Sequence, residues 1–333
     1  MPTRVAGLDP ALRATIVSRV ALTFRAGPDR ALDRPAHVRA GSSLTWIGDR
    51  LAVIQDDANF VALVDPSTGL ADAITLPAGE AGLRLFDDAR GNKKFKLYLE
   101  ACCVVPGIAG PTLVAFGSGS KKRRRRVVTV DRWDASEPRV SLVDAEALYL
   151  ALDAAADFAG SDMNIEGALA LTGTLRLFGR GNGKKRGARI PLNATCELPI
   201  GELLDYLAAP AAGPVPTPRS IVQYELGDIG GVSLGFTDAA ASDGAILYSA
   251  AAEASSDAVD DGEVHGSVLG VIPAAGELRF AHLVDDSGRR VAEKVEGLVC
   301  HRDVSNTAYI VIDSDDAGRP SELCTVRLDG HWR

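Results

Sequence analysis

The chain has 333 residues, 46% of them hydrophobic and 24% charged, which is an ordinary globular composition with material for a sizeable core. Its net charge of −8 at pH 7 argues against a general nucleic-acid binder. No apolar run is long enough to span a bilayer, and residues 1–9 lack the basic start and apolar stretch of a signal peptide.

The expectation is therefore a cytoplasmic monomer with neither membrane nor nucleic-acid partners. Five cysteines form no C-x-x-C pair, and Cys102, Cys103, Cys300 and Cys324 sit in apolar runs, so they read as reduced core thiols.

In chain order, Ile16 to Phe24 reads as a strand with no partner in the neighbouring sequence. Then a unit begins that recurs: a short apolar segment opening on a polar or acidic residue, small residues, a turn, a second apolar segment and a polar loop. Its opening segments lie near 42–47, 99–104, 165–170, 236–240 and 295–299. The opening residues Ser43, Glu100, Glu166, Asp238 and Glu296 are spaced by 57, 66, 72 and 58 residues. Further apolar runs such as Phe60 to Val64, Val127 to Val130, Val268 to Val271 and Cys324 to Leu328 supply a second hairpin per unit. Helical patterning is confined to Ala145 to Ala156 and Gly201 to Ala208, and the Pro- and Ala-rich stretch 209–218 reads as a link between units.

Four strands per unit, repeated around an axis, make an all-β fold: a β-propeller filling residues 1–333 as one domain. The count favours five blades. Six would follow if 219–289 held an extra, degenerate blade. The N-terminal strand is expected to complete the last blade and close the ring, because closure removes exposed strand edges.

In such a ring the small residues let inner strands crowd the axis, and Glu100, Glu166, Asp238 and Glu296 would circle the mouth of the channel. Clustered carboxylates need compensation, and oxygen-only ligands suit Ca²⁺ or Mg²⁺, so these four are the candidate metal ligands. The alternative is that they accept backbone N–H groups.

The loops after each second strand should face the same mouth. Gly117 to Ser120 with Lys121 to Arg126, and Arg180 to Asn182 with Lys184 to Arg186, make a basic sector. Ser118, Ser120, Arg123, Arg180, Asn182 and Lys184 are the candidate anion-binding residues. The run lacks the ending and helix of a P-loop. Residues 257–263 resemble a Ca²⁺ loop without EF-hand spacing. His265 and His301 are the candidates for acid–base work.

Several segments together (116–120, 164–168, 180–182, 235–239 and 260–267) resemble an uncharacterised family of bacterial β-propeller proteins. The repeated acid-plus-small-residue openings resemble esterase-like, phytase-like and regucalcin/gluconolactonase-like propellers. That resemblance implies a divalent ion on Glu100, Glu166 and Glu296 and hydrolysis of a phosphorylated, ester or lactone substrate. The first and fourth units depart from it, with Ser42-Ser43 and Thr237-Asp238. The other reading is a non-catalytic scaffold that binds a small anionic molecule or a protein partner on its loop face.

Overall fold

The computed structural model describes residues 3–254 and 262–333. The loosely Ca²⁺-like segment therefore lies mostly outside the described residues. Three strands come first: β1 (Thr3–Leu8), β2 (Arg13–Ala21) and β3 (Thr23–Phe24). Five antiparallel meanders come after them.

The first meander is β4 (Gly41–Ile47), β5 (Arg50–Gln55), β6 (Phe60–Val64) and β7 (Leu70–Thr75). The second is β8 (Leu99–Gly107), β9 (Gly110–Gly117), β10 (Arg126–Asp131) and β11 (Arg139–Asp144). Helices α1 (Glu146–Ala154) and α2 (Ala156–Ala159) lead to the third: β12 (Ile165–Ala170), β13 (Thr174–Gly179), β14 (Asn193–Pro199), then α3 (Ile200–Ala208) and β15 (Arg219–Glu225).

The fourth opens on the two-residue β16 (Asp228–Ile229) and runs through β17 (Val232–Ser242), β18 (Ala245–Ala254), β19 (Glu263–Pro273) and β20 (Leu278–Val284). The fifth is β21 (Val295–Cys300), β22 (Thr307–Ile312) and β23 (Glu322–Asp329), and β2 supplies its outer strand by pairing antiparallel to β23.

The inner strands β4, β8, β12, β17 and β21 pack against one another in that cyclic order, so the chain is a β-propeller. Each inter-blade gap holds its own apolar core. A strand sandwiched between two such cores must be apolar on both faces, and Phe60 to Val64 is buried at every position. Between the third and fourth blades Phe236 meets Phe178, Tyr224 and Tyr248 edge-on at 5.3, 5.3 and 5.4 Å. Such pairs contribute about 0.5–1.5 kcal/mol each beyond their burial. Helix α1 buries Leu148, Tyr149 and Leu152 between the second and third blades.

The stretch 209–218 is not a link between blades. It joins α3 to β15 inside the third blade, where β15 pairs with β14. Residues 219–289 are accounted for by β15 and the fourth meander. The N-terminal segment does more than close the last blade: β1 lies parallel between β15 and β20, β2 also touches β20, and β3 runs parallel to β7. No described helix is long and apolar enough to cross a membrane. All five cysteines are unpaired, and Cys102, Cys103, Cys196 and Cys324 are buried.

Candidate functional site

One local device recurs in every inner strand. The register against the second strand slips between Gly41 and Ser43, Leu99 and Ala101, Ile165 and Gly167, Phe236 and Asp238, and Val295 and Gly297. The bulged residues are thus Ser42, Glu100, Glu166, Thr237 and Glu296. A bulge re-aims its side chain. Four of the five, Ser42, Glu100, Glu166 and Glu296, line a funnel of ≈ 450 Å³.

Asp238 is not in this ring. It stands one residue later, in the tier of Ser43, Ala101, Gly167 and Gly297. There Oδ2 accepts from Ser43 Oγ and Leu298 N at 3.0 Å each, and Oδ1 accepts from Ala239 N at 2.8 Å. It is a buried clamp between three inner strands, with burial pushing its pKa well above the ordinary value. The tier admits little else. A Cβ on Gly297 would lie 2.6 Å from Leu44 Cδ2 and 2.9 Å from Leu44 N, and one on Gly167 would lie 3.2 Å from Asp238 Cα. Thr237 takes the fourth ring position and hydrogen-bonds Ser249 Oγ at 2.8 Å.

The carboxyls are compensated by the chain's own cations. Lys294 Nζ lies 2.9 Å from Glu296 and 3.6 Å from Glu253. Arg180 lies 2.8 Å from Glu253 and 3.6 Å from Glu166, whose Oε1 also accepts from Asn164 at 2.6 Å. Lys96 pairs with Asp56. Burial raises the Glu166 pKa against the pull of Arg180 and Lys294. It pushes Glu296 up to about 8 despite Lys294. Glu253 goes the other way: burial would raise it, but Lys294 and Arg180 hold it at about 2.

Glu100 differs from all of these. Its pKa stands well above the ordinary value through burial first and then the charges of Asp56 and Glu166. Among the described residues its carboxyl has no hydrogen bond and no ion pair at bonding distance.

These residues do not fit a divalent-ion site. Among the described residues no three His, Cys, Asp or Glu side chains gather as a metal would need. Asp238 is withdrawn, and Lys294 and Arg180 stand among the remaining acids.

The expected anion cradle is not built either. The N–H groups of Ser118 and Gly119 are taken by Tyr98 O and Arg124 O at 3.0 and 3.2 Å. Ser118 Oγ and Ser120 Oγ bond each other at 3.2 Å. Arg123 is exposed, 5.9 Å from the Phe95 ring centre, and Lys184 is exposed beside Asp162. Arg180 and Asn182 do line the funnel.

The two histidines lie elsewhere. His265 is exposed on β19. His301 sits just past the end of β21 at the far mouth, stacked on Tyr309 at 5.0 Å, and its Nδ1 accepts from Asp303 N and Val304 N at 3.1 Å each. An imidazole holding a turn in this way has no free nitrogen on that side for chemistry.

Within the basic run 121–126 sequence reasoning singled out Arg123 rather than Arg124, and it missed Lys96 and Lys294. They fall outside the repeated pattern, although Lys294 stands two residues before Glu296. Arg124 is buried in the funnel wall, its guanidinium carbon 3.6 Å from the Tyr98 ring centre.

Among solved structures, the chain is similar to glutaminyl cyclase of Myxococcus xanthus at 10% identity, covering 97% of this chain and 100% of that one with a TM-score of 0.48. It is similar to the Cps50 (Swd1) beta-propeller domain of Myceliophteria thermophila at 13% identity, with coverages of 85% and 67% and a TM-score of 0.33. It is also similar to Drosophila Semaphorin 1a, extracellular domains 1–2, at 9% identity, with coverages of 90% and 88% and a TM-score of 0.35. No curated protein matches. A family profile matches residues 37–328, nearly the whole propeller, and the chain belongs to that family, described as a family of unknown function (DUF6929).

Proposed function

We propose that the funnel is a general acid–base centre that hydrolyses a small ester or lactone using the chain's own cations. The observation that carries this reading is Glu100, a half-buried carboxyl with a raised pKa and no bonded partner among the described residues, lining an open cavity. A carboxyl whose pKa is raised by desolvation and by neighbouring negative charge is biased toward its protonated form and can donate a proton.

Glu100, Glu166 and Glu296 cannot all ionise together, so they titrate as a set. Glu166, held by Asn164 and Arg180, keeps its charge more readily than Glu100 and serves as the acceptor. Water attacks the carbonyl carbon and loses its proton to Glu166. The C–O bond then breaks, and the leaving oxygen takes the proton of Glu100. Lys294 offers positive charge to the oxyanion formed on the way. Ca²⁺ or Mg²⁺, expected from the ring of acids and from the resemblance to phytase-like and regucalcin-like propellers, has no step in this scheme.

The test is a panel of esters, lactones and phosphoesters, run with chelator and again with Ca²⁺ or Mg²⁺. Ester or lactone turnover that survives chelation and falls about 10²–10⁴-fold in Glu100→Gln supports the reading. Turnover that requires the ion, or that is untouched in Glu100→Gln, overturns it.

A second reading is a non-catalytic scaffold holding an anionic molecule or protein partner on the same face. Lys93 and Lys94 at the rim favour it. It predicts salt-sensitive binding, no turnover by the native protein, and binding unchanged in Glu100→Gln.

A further inference from the structure

Every other buried cation of the funnel has a carboxylate. Lys96 has Asp56, Arg180 has Glu253 and Glu166, and Lys294 has Glu296 and Glu253. Among the described residues Arg124 has none within ion-pair distance. It is 6% exposed, and its one side-chain hydrogen bond to a described residue runs from Nη1 to Ser120 Oγ at 3.0 Å. Its Nε is buried without a partner.

The guanidinium is held in place rather than free to swing. It stacks over Tyr98, whose ring also carries Lys96 Nζ at 4.6 Å. Tyr98 has a φ of 53°, in the left-handed region that a bulky side chain seldom adopts. Two cations on one ring repel, and only Lys96 has its counter-charge among the described residues. A buried, desolvated charge is costly until it is paired. Guanidinium geometry matches carboxylate and phosphate oxygens.

We infer that the ligand of this funnel is a small molecule carrying a carboxylate or phosphate group, and that this oxyanion seats on Arg124. The inference takes its location from the acid–base reading but not its chemistry. Binding at Arg124 needs no turnover. The substrate class narrows to esters or lactones that bear a second, anionic group. Arg124 orients that group while the reacting bond lies toward Glu100, two residues from Tyr98. Arg123, its exposed neighbour, takes no part.

The probes are acetate, lactate and inorganic phosphate, each titrated at low ionic strength against the native protein and against Arg124→Gln, Arg124→Lys and Arg123→Gln. A ligand that binds only the folded state raises Tm. The expected result is a saturable rise with the carboxylates or with phosphate, and the arm that responds names the group. The dissociation constant should rise about tenfold or more in Arg124→Gln, with part of the loss recovered in Arg124→Lys and none incurred in Arg123→Gln. Each variant's melt without ligand shows that it folds, and direct calorimetric titration of the native protein replaces the comparison for any that does not. Absence of binding by all three probes, or equal affinity in Arg124→Gln, overturns the inference. Glu100→Gln separates the two claims: it should keep anion binding while losing turnover.

Discussion

The five inner strands have two ends, and the two mouths they frame differ in kind. At the starting end the cavity is the smaller, ≈ 450 Å³, yet it gathers the acids Asp56, Glu100, Glu166, Glu253 and Glu296 beside the cations Lys96, Arg124, Arg180 and Lys294. At the finishing end the cavity is ≈ 780 Å³; small and apolar side chains such as Ala168, Ala240 and Leu298 floor it, Asp243, His301, His331 and Arg333 stand around it, and Arg302 lies over Trp46 at 4.5 Å, but no bulged inner-strand acid lines it. Size does not locate the charged cluster here. The bulge does, because it lies at the starting end of the inner strands and re-aims one side chain per blade. The deeper tier around Asp238 separates the two ends and supplies rigidity rather than reactivity.

That division can be broken at either tier. Asp238→Ala should have the largest effect, since it strands the donors of Ser43, Ala239 and Leu298 in the interior. A loss of about 3 kcal/mol or more in urea unfolding is expected. An unchanged midpoint would remove the clamp from the account.

Glu100→Gln, in contrast, should cost turnover and leave the midpoint unchanged or higher, because an acid without a bonded partner whose pKa is raised by desolvation gives no stability to lose. Gly297→Ala drives a methyl against Leu44 and should destabilise by about 1–3 kcal/mol, read from the same denaturation curves.

The fourth test uses pH. Glu296 has a folded pKa of about 8, above its ordinary 4.5, so the folded state binds the extra proton. Stability from this group is intact below about 4.5 and declines as pH rises toward 8. The native Tm should therefore fall across that window, and the Glu296→Gln profile should be flatter by a few degrees. Parallel profiles would deny the group its raised pKa. The smallest effect belongs to the far mouth: His301→Phe should cost about 1 kcal/mol for the two lost N–H acceptances and leave funnel turnover untouched.

The architecture is legible in the sequence because a blade buried on both faces writes itself as short, uninterrupted apolar runs. Phe60 to Val64 coincides with β6, and Val127 to Val130 falls within β10. The funnel acids are legible as far as the repeat reaches. Glu100, Glu166 and Glu296 open their strands with similar small neighbours, and all three are bulged. Asp238 is displaced from its expected place by a single residue, since nothing in Phe236-Thr237-Asp238 tells which residue a bulge extrudes; Thr237 holds the position. Lys96 and Lys294 stand four and two residues ahead of their bulged acids, at offsets where the other blades carry no cation, so periodicity is silent about them; Arg124 lies inside the basic run 121–126, and nothing in six consecutive basic residues tells which one turns inward. The Ser-Gly-Ser segment looks available for an anion because the sequence does not show that the carbonyls of Tyr98 and Arg124 already occupy its amides.

The N-terminal strands impose an order on assembly. β2 needs β23, whose residues lie at the opposite end of the chain, as in Ile16 opposite Val326 and Ala21 opposite Glu322. β2 is made well before β23, so it waits without that partner while the blades between them are made. β1 and β3 wait for blades that are made sooner. Among the described residues the second blade pairs with no strand of this segment, and it could form its four strands without it. Ring closure is thus a late, long-range event of the slow kind that high contact order produces. Until it happens, the strand edges of the fifth blade stay open to other chains, which exposes the nascent propeller to aggregation until β2 and β23 meet.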